Sequence, residues 1–370
     1  MTVRQRLLVV VGTRPEAIKM APVILRARAE PELFEVVVCA TAQHRELADD
    51  VFSVFGIRPE IDLDLMKASQ TPNAVAAGVF AAFDGLLETV RPDRVLVQGD
   101  TTSVMAASLA SFHRGVRVAH VEAGLRTSDL KNPFPEEMNR RVTDLAADMH
   151  FAPTRRAAEA LRREGAASIH VTGNTVVDAL HWIRDRLAAP DPAGDGLVLV
   201  TSHRRENFGE PMRSAFRGIA RLARRFPTIR FVFPAHPNPE VVDAVAALKG
   251  IGNVEIRPPA GYPQLVAWIR SARLILTDSG GIQEEAPAFG VPTLVLRTTT
   301  ERPEGIEAGV ARLVGTDEER IFSEGERLLA DDEAHRAMAR VENPYGDGKA
   351  AERIVGILAG RRVEDFAPRP

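Results

Sequence analysis

The chain has 370 residues, room for two domains at roughly 150 residues each, which excludes a small scaffold held together by staples. Its 47 Lys and Arg against 50 Asp and Glu give a formal charge of −3, so there is no overall positive field to hold a polyanion and no nucleic-acid partner is expected. A hydrophobic share of 45% with 26% charged residues is that of an ordinary globular protein, and the single cysteine, Cys39, excludes an intramolecular disulfide and a cysteine-built zinc site. One cysteine fits a reducing, cytoplasmic location. Aromatic residues make up only 5%, so a sugar ligand would be held mainly by polar groups.

In chain order, Arg4 and Arg6 precede an apolar run at 7–11 that is too short for a secretory signal core. No apolar stretch approaches the roughly 18 residues of a membrane span, so no membrane partner is expected. Short β-branched runs at 7–11, 35–40, 94–98, 116–121 and 168–171 alternate with helical windows such as 73–90 and 102–114. Their continuous apolar character predicts strands buried on both faces. After a Pro/Gly-rich break at 188–196 the rhythm returns, with strands at 197–201, 229–233, 254–256, 273–277, 293–296 and 311–314 and helices at 209–226 and 281–289. This is a βαβ alternation occurring twice. It predicts an α/β fold of two doubly wound, Rossmann-like lobes with parallel sheets, and directs attention to residues just after each strand.

The first such loop reads Gly12-Thr13-Arg14-Pro15-Glu16-Ala17-Ile18-Lys19. Thr13 and Glu16 form a capping box, and Pro15 suits a first helical turn, so these three need do nothing more than start a helix. Arg14 and Lys19 are not needed for that and make a candidate anion site beside the helix start. Neither a G-x-G-x-x-G nor a Walker phosphate loop occurs anywhere, which argues against a tightly held NAD or flavin and against a P-loop NTPase. The strand at 94–98 ends in Gly99-Asp100-Thr101-Thr102, with either Asp100 or a threonine available as helix cap. The next strand ends in Glu122, a carboxylate whose desolvation must be offset by partners or by use. Glu136 and Glu137 follow Pro135 at a helix start, where one of them serves only as a favourable charge.

In the second half, His203-Arg204-Arg205 follows a strand and suits a diphosphate. Asp278-Ser279-Gly280-Gly281 opens a helix with unblocked amides, and Glu285 lies where a carboxylate could accept both ribose hydroxyls. With Arg302 and Arg312 these residues form a candidate nucleoside-diphosphate clamp. One lobe thus offers carboxylates and the other a clamp, a division that suits a nucleoside-diphosphate sugar.

These segments, together with Gly173-Asn174-Thr175-Val176-Val177-Asp178, Thr299-Thr300-Glu301-Arg302-Pro303 and Asn343-Pro344-Tyr345-Gly346-Asp347-Gly348, resemble the non-hydrolysing UDP-N-acetylglucosamine 2-epimerase family over nearly the whole chain and in order. The resemblance implies a GT-B-like fold with its active site in the inter-lobe cleft, a homodimer, and reversible interconversion of UDP-GlcNAc and UDP-ManNAc for cell-surface polysaccharide precursors. No NAD and no metal would be required. The lobes would comprise 1–172 with roughly 360–370, carrying the carboxylates, and 173–359, carrying the clamp. A C-terminal helix near 350–359 would cross back toward the first lobe. By match to the family's motifs, Asp100, Glu122, Glu136 and His203 would be catalytic. Arg14, Lys19, Ser279, Gly280, Gly281, Glu285 and Arg312 would hold UDP. Gln43, Arg204 and His236 would belong to a neighbouring pocket in which UDP-GlcNAc acts as activator. Three positions depart from the family's usual pattern: Gln98 stands for a histidine, Leu265 for an aromatic residue and Thr298 for an aspartate.

The chemistry has an independent argument. The C2 proton of a nucleotide sugar lies beside an acetal, so deprotonation alone gives no stabilised anion. Oxidation at a neighbouring carbon would need the absent dinucleotide fingerprint. Elimination of UDP to a glycal, protonation from the other face and re-addition would need carboxylates and a held leaving group. A GT-B glycosyltransferase, the hydrolysing epimerase, a relative acting on a modified UDP-sugar and a non-catalytic sensor are the competing readings.

Overall fold

A computed structural model describes residues 4–41, 45–65, 70–127, 129–131, 133–187, 196–235 and 238–368. The chain divides into two compact units, the first built on Met1–Ala179 with Gly346–Ala367 and the second on Leu180–Tyr345.

The first unit runs β1 (Gln5–Val11), α1 (Arg14–Arg28), β2 (Phe34–Ala40), α2 (Arg45–Phe55), β3 (Ile61–Asp62), α3 (Pro72–Val90), β4 (Arg94–Gln98), α4 (Thr102–His113), β5 (Arg117–Val121), α5 (Glu136–Ala146), β6 (Met149–Ala152), α6 (Arg155–Arg163) and β7 (Ile169–Val171). Helix α7 (Thr175–Arg184) follows, and the unit boundary falls inside it. The described strands form one seven-stranded sheet in the order β3-β2-β1-β4-β5-β6-β7. Every pairing is parallel, with Val9 opposite Val38 on one side and Leu96 on the other. The order reverses between β1 and β4, so the loops that begin at Gly12 and Gly99 flank the switch point, where such sheets bind ligands. Continuous apolar strands are buried on both faces: Leu7 to Val11 and Val95 to Val97 are at most 1% exposed. Gly124, with φ +87°, lets the turn after β5 lie on α6, since a Cβ there would sit 2.4 Å from the Ala157 carbonyl.

The second unit runs β8 (Leu197–Thr201), α8 (Glu210–Arg225), β9 (Arg230–Pro234), α9 (Pro239–Ala244), β10 (Val254–Arg257), α10 (Tyr262–Ser271), β11 (Ala272–Thr277), α11 (Gly280–Glu285), β12 (Thr293–Val295), α12 (Pro303–Glu307), β13 (Ala311–Leu313), α13 (Glu318–Ala330) and α14 (Asp332–Ala339). Its six-stranded sheet is also parallel, in the order β10-β9-β8-β11-β12-β13, so the loops after β8 and β11 flank its switch point. The fold class expected from the alternation is therefore observed. Two short strands escaped the sequence reading: β3, two residues at the sheet edge, and β6, whose four residues include His150.

Two expectations need correction. The first unit extends to Ala179 rather than 172, and it takes back the C-terminal helix α15 (Ala350–Leu358), which the 173–359 boundary assigned to the second lobe. The cause is local: Ile354, Val355 and Leu358 are buried, α15 packs on α1, and Asp178 accepts from the amides of Ala350 at 3.2 Å and Ala351 at 2.8 Å. Beyond it, the Phe366 amide donates to the Val171 carbonyl at 2.7 Å, joining the tail to β7. The expected break at 188–196 lies outside the described residues except for Gly196. Finally, α3 has 19 residues and is long and apolar enough, by length and composition, to cross a membrane. Its exposed face carries Ala74, Ala77 and Ala81, which raise its apolarity, while Val79, Phe83 and Leu87 pack with Val95 and Val97 in the core.

Burial pushes the Asp178 carboxyl from 3.8 up to about 7, against the pull of the Ala351 and Ala350 amides. An acid whose pKa rises on folding holds its proton more tightly in the native state, so its contribution to stability falls as pH rises between those two values. Urea unfolding should show wild-type stability falling by about 2–3 kcal/mol through this group between pH 5 and pH 8, and falling less in Asp178→Asn. An identical slope in the variant would show that Asp178 titrates as it does in the unfolded chain.

Candidate active site

At the switch point of the first unit, Thr13 caps α1, and the carboxylate of Glu16 accepts from the Gly12 amide at 2.6 Å. Burial pushes Glu16 up to about 7, with the Gly12 amide and the hydroxyl of Thr101 pulling the other way. The capping reading of Thr13, Pro15 and Glu16 therefore describes what the structure shows them doing. Arg14 is half-buried at the first position of α1.

Lys19, one turn further along, points its Nζ at Glu122 Oε1, 2.5 Å away. Glu122 also accepts from Asn174 Nδ2 at 3.3 Å and from the amide nitrogen of Gln98. Its carboxylate is thus buried but met by one cation and two amide donors, which offsets the cost of desolvation. Gln98, a departure from the family pattern, fills this supporting role with neutral donor hydrogens. Glu122 has φ +63°, a left-handed conformation that costs a non-glycine residue of order 1 kcal/mol and is held here by the surrounding contacts.

Thr101, not Asp100, caps α4, which leaves the Asp100 side chain available. Asp100 Oδ2 accepts from Arg140 Nη2 at 2.7 Å, and the Asp100 carbonyl accepts from Asn139 Nδ2 at 3.1 Å. Both partners lie on α5, so that helix braces the loop after β4. The two glutamates at the start of α5 separate clearly. Glu137 is fully buried and accepts from the Thr127 amide at 3.0 Å and from Arg141 Nε at 2.9 Å, a bracing role. Glu136 Oε2 is shielded from solvent with no hydrogen-bond partner among the described residues. A shielded oxygen of that kind is suited to a ligand or a proton. Sequence reasoning assigned no supporting role to Gln98, Asn139, Arg140 or Asn174, because nothing in the sequence shows which carboxylate each one meets.

In the second unit, a buried anion organises the site. Asp278 is 0% exposed and accepts from Ser202 Oγ at 2.8 Å, from the His203 amide at 2.9 Å and from the Arg204 amide at 3.0 Å. It thereby ties the loop after β8 to the loop after β11. His203 Nδ1 lies 3.6 Å from Asp278 Oδ1, while its side chain remains 46% exposed. Ser279 caps α11 with its hydroxyl uncommitted to a cap bond, Glu285 is buried at the end of α11, and a Cβ at Gly281 would meet only Ser279 Oγ, at 3.8 Å. At Gly280 a Cβ would sit 3.3 Å from Arg302 Cζ, so the absence of a side chain lets that arginine lie close over the loop. Arg302 is held by Glu284 at 2.9 Å and Glu301 at 3.2 Å. Burial raises the Glu301 carboxyl, but Arg302 and Arg297 outweigh it and hold the group at about 2.

Arg312 departs from the expectation that it joins this clamp. It lies on edge strand β13 and pairs with Glu324 of α13 at 2.8 Å, while the arginine brought to the glycines is Arg302. Leu265 is half-buried and packs in the cluster of Ile269, Ile275 and Ile282. Arg204 lies 3.6 Å from Glu301; Gln43 and His236, expected in the same activator pocket, lie outside the described residues.

The model of the UDP-N-acetylglucosamine 2-epimerase family matches residues 7–359. The chain belongs to this family. It is 47% identical over 362 residues to the UDP-N-acetylglucosamine 2-epimerase of Bacillus subtilis, covering 95% of this chain and 94% of that one. The corresponding enzyme of Escherichia coli is 46% identical, with 97% and 99% covered. Among solved structures, the UDP-GlcNAc 2-epimerase of Neisseria meningitidis bound to UDP-GlcNAc matches with a TM-score of 0.90 at 42% identity, covering 96% of this chain and 100% of that one. The fold is the GT-B-like α/β arrangement of that epimerase family, and the chain is an enzyme of the epimerase, isomerase type.

Replacing Asp278 by alanine would leave Ser202 Oγ and the amides of His203 and Arg204 without their shared acceptor. The variant is expected to lose about 2–4 kcal/mol of stability by urea unfolding. A loss under about 0.5 kcal/mol would mean that the loop after β8 is held by other contacts.

Proposed function

We propose that the protein interconverts UDP-GlcNAc and UDP-ManNAc by eliminating UDP and adding it back. The reading rests on family membership together with one observation: Asp100 and Glu122 follow the adjacent strands β4 and β5 at their carboxyl ends and Glu136 opens α5, with Glu136 Oε2 shielded and lacking a hydrogen-bond partner among the described residues.

In the forward direction a carboxylate takes the C2 proton. The electrons of the C2–H bond become the second bond between C1 and C2, and the C1–O bond breaks with its electron pair leaving on UDP. The products are a 2-acetamidoglycal, UDP and a protonated carboxyl group. A second carboxyl group then protonates C2 from the opposite face while UDP re-adds at C1. No step of this route oxidises or reduces the sugar, so it has no hydride for NAD to take up. Asp100, Glu122 and Glu136 supply the acid and base groups, with Lys19 and Arg140 holding two of them in position. The departing diphosphate carries the developing negative charge. His203, Arg14, the Ser279 hydroxyl, the amides of Gly280 and Gly281, and Arg302 in place of Arg312, supply donors and positive charge for it. Glu285 receives the ribose hydroxyls.

A homodimer accompanies this reading. Phe112 of α4 and Met138 and Leu145 of α5 are 60%, 50% and 81% exposed, an apolar surface suited to a second copy of the chain. Light scattering should give a dimer mass that Leu145→Glu shifts toward the monomer.

Reaction of UDP-GlcNAc in heavy water without added cofactor, followed by NMR, should show UDP-ManNAc with deuterium at C2 of both epimers. Neither exchange nor UDP-ManNAc would sink the proposal. Asp100→Asn, Glu122→Gln and Glu136→Gln should each lower kcat by at least about 100-fold, with UDP affinity by calorimetry little changed. Unchanged turnover would remove that residue from the catalytic set.

A further inference from the structure

We infer that His120 is a positioning residue, held as a buried imidazolium cation, that fixes the Gly99–Asp100 strand end through the Gly99 carbonyl. His120 lies on β5, its side chain 1% exposed. Its Nδ1 is 2.6 Å from Asp144 Oδ1 and its Nε2 is 2.8 Å from the Gly99 carbonyl oxygen. A carbonyl can only accept, and so can an ionised carboxylate. A neutral imidazole carries one donor and one acceptor nitrogen, so either tautomer would set a lone pair against an oxygen at hydrogen-bond distance. Two protons remove the conflict.

The argument turns on Asp144 being ionised, and the neighbouring groups say that it is. Its second oxygen accepts from Arg126 Nη2 at 2.7 Å. Burial pushes the Asp144 carboxyl up, and the Arg126 guanidinium beside it pulls it down, a cause that does not depend on the charge of His120. Arg126 is shared with Glu164 at 2.6 Å. From β6, His150 places Nε2 2.9 Å from the Asp144 carbonyl and Nδ1 2.9 Å from that of Ala167, so it too sits between acceptors. The network pairs charges of both signs, as a buried ion requires.

The position of the cation gives it a use. The Gly99 amide donates to the Val121 carbonyl at 3.3 Å while its carbonyl accepts from His120, so β5 holds the last peptide of the β4 end on both sides. The next residue is Asp100, and Glu122 lies two residues after His120 on its own strand. One imidazolium thereby fixes the strand ends that carry two of the three carboxylates. Misplacing a reacting group by about 1 Å can cost on the order of 100-fold in rate.

The positioning role rests on the epimerase reading; the protonation state does not, and the test separates them. Nitrogen–proton correlation spectra of the wild-type protein, with the His120 signals assigned by their loss in His120→Gln, should show both ring nitrogens protonated at about pH 7.5. An unprotonated ring nitrogen at about pH 7.5 would overturn the inference, whether or not the enzyme epimerises. In Asp144→Asn the cation loses its ionised partner, so the doubly protonated signature at about pH 7.5 should be lost and kcat should fall. His120→Gln should lower kcat by about 100-fold while UDP affinity stays within about threefold. A kcat within about threefold of wild type would overturn the positioning role. Failure of the wild-type enzyme to exchange C2 protons would instead sink the epimerase reading and leave the nitrogen signature standing.

Discussion

A carboxylate taken out of water costs several kcal/mol unless charges and donors meet it, and the first unit is arranged around that cost. Glu122 stands at the end of β5 and draws in Lys19 from α1, Gln98 from β4 and Asn174 from the segment before α7. Asp100, at the end of β4, draws in Arg140 from α5. Satisfying two carboxylates therefore fixes the relative placement of two strand ends and two helices at the carboxyl edge. The left-handed backbone at Glu122 is maintained by the same contacts. Removing one partner would leave a buried charge exposed to the full desolvation cost, so these residues are expected to tolerate little change.

The second unit solves a related problem with the opposite emphasis. There the fully buried carboxylate, Asp278, spends its oxygens on backbone amides and the Ser202 hydroxyl. It works as a fixed anion that holds a loop, leaving the His203 ring largely exposed. Arg302 lies over Gly280 and is itself restrained by Glu284 and Glu301. A pre-positioned guanidinium loses less side-chain entropy when an anion arrives, which favours recognition of a diphosphate.

Much of this was legible in the sequence, and the exceptions have physical reasons. Strands such as 94–98 and 197–201 were readable to the residue because burial on both faces imposes a continuous apolar run. Strand β6 was not, because His150 interrupts its short apolar pattern. The α15 boundary was missed because helical periodicity shows that a face is buried, never which partner buries it. Motif positions drew attention to Asp100, Glu122 and Glu136, but the choice between Glu136 and Glu137 required the contacts of Thr127 and Arg141. Arg302 and Arg312 look alike as arginines after a strand. Only the close approach at Gly280 and the pairing of Arg312 with Glu324 separate them. Supporting residues such as His120, Arg140 and Asp278 are the least legible, since their roles exist only through tertiary hydrogen bonds.

The central claim is that the bond between the sugar and the diphosphate breaks each time C2 inverts. The most direct measurement places a heavy-oxygen label in the oxygen that bridges C1 and the β-phosphorus, and follows its position by phosphorus NMR through many turnovers. Elimination and re-addition predict that the label spreads from the bridge into the non-bridging oxygens of the β-phosphate, because released UDP can turn before it re-adds. Label confined to the bridge in both epimers after many turnovers would contradict the account.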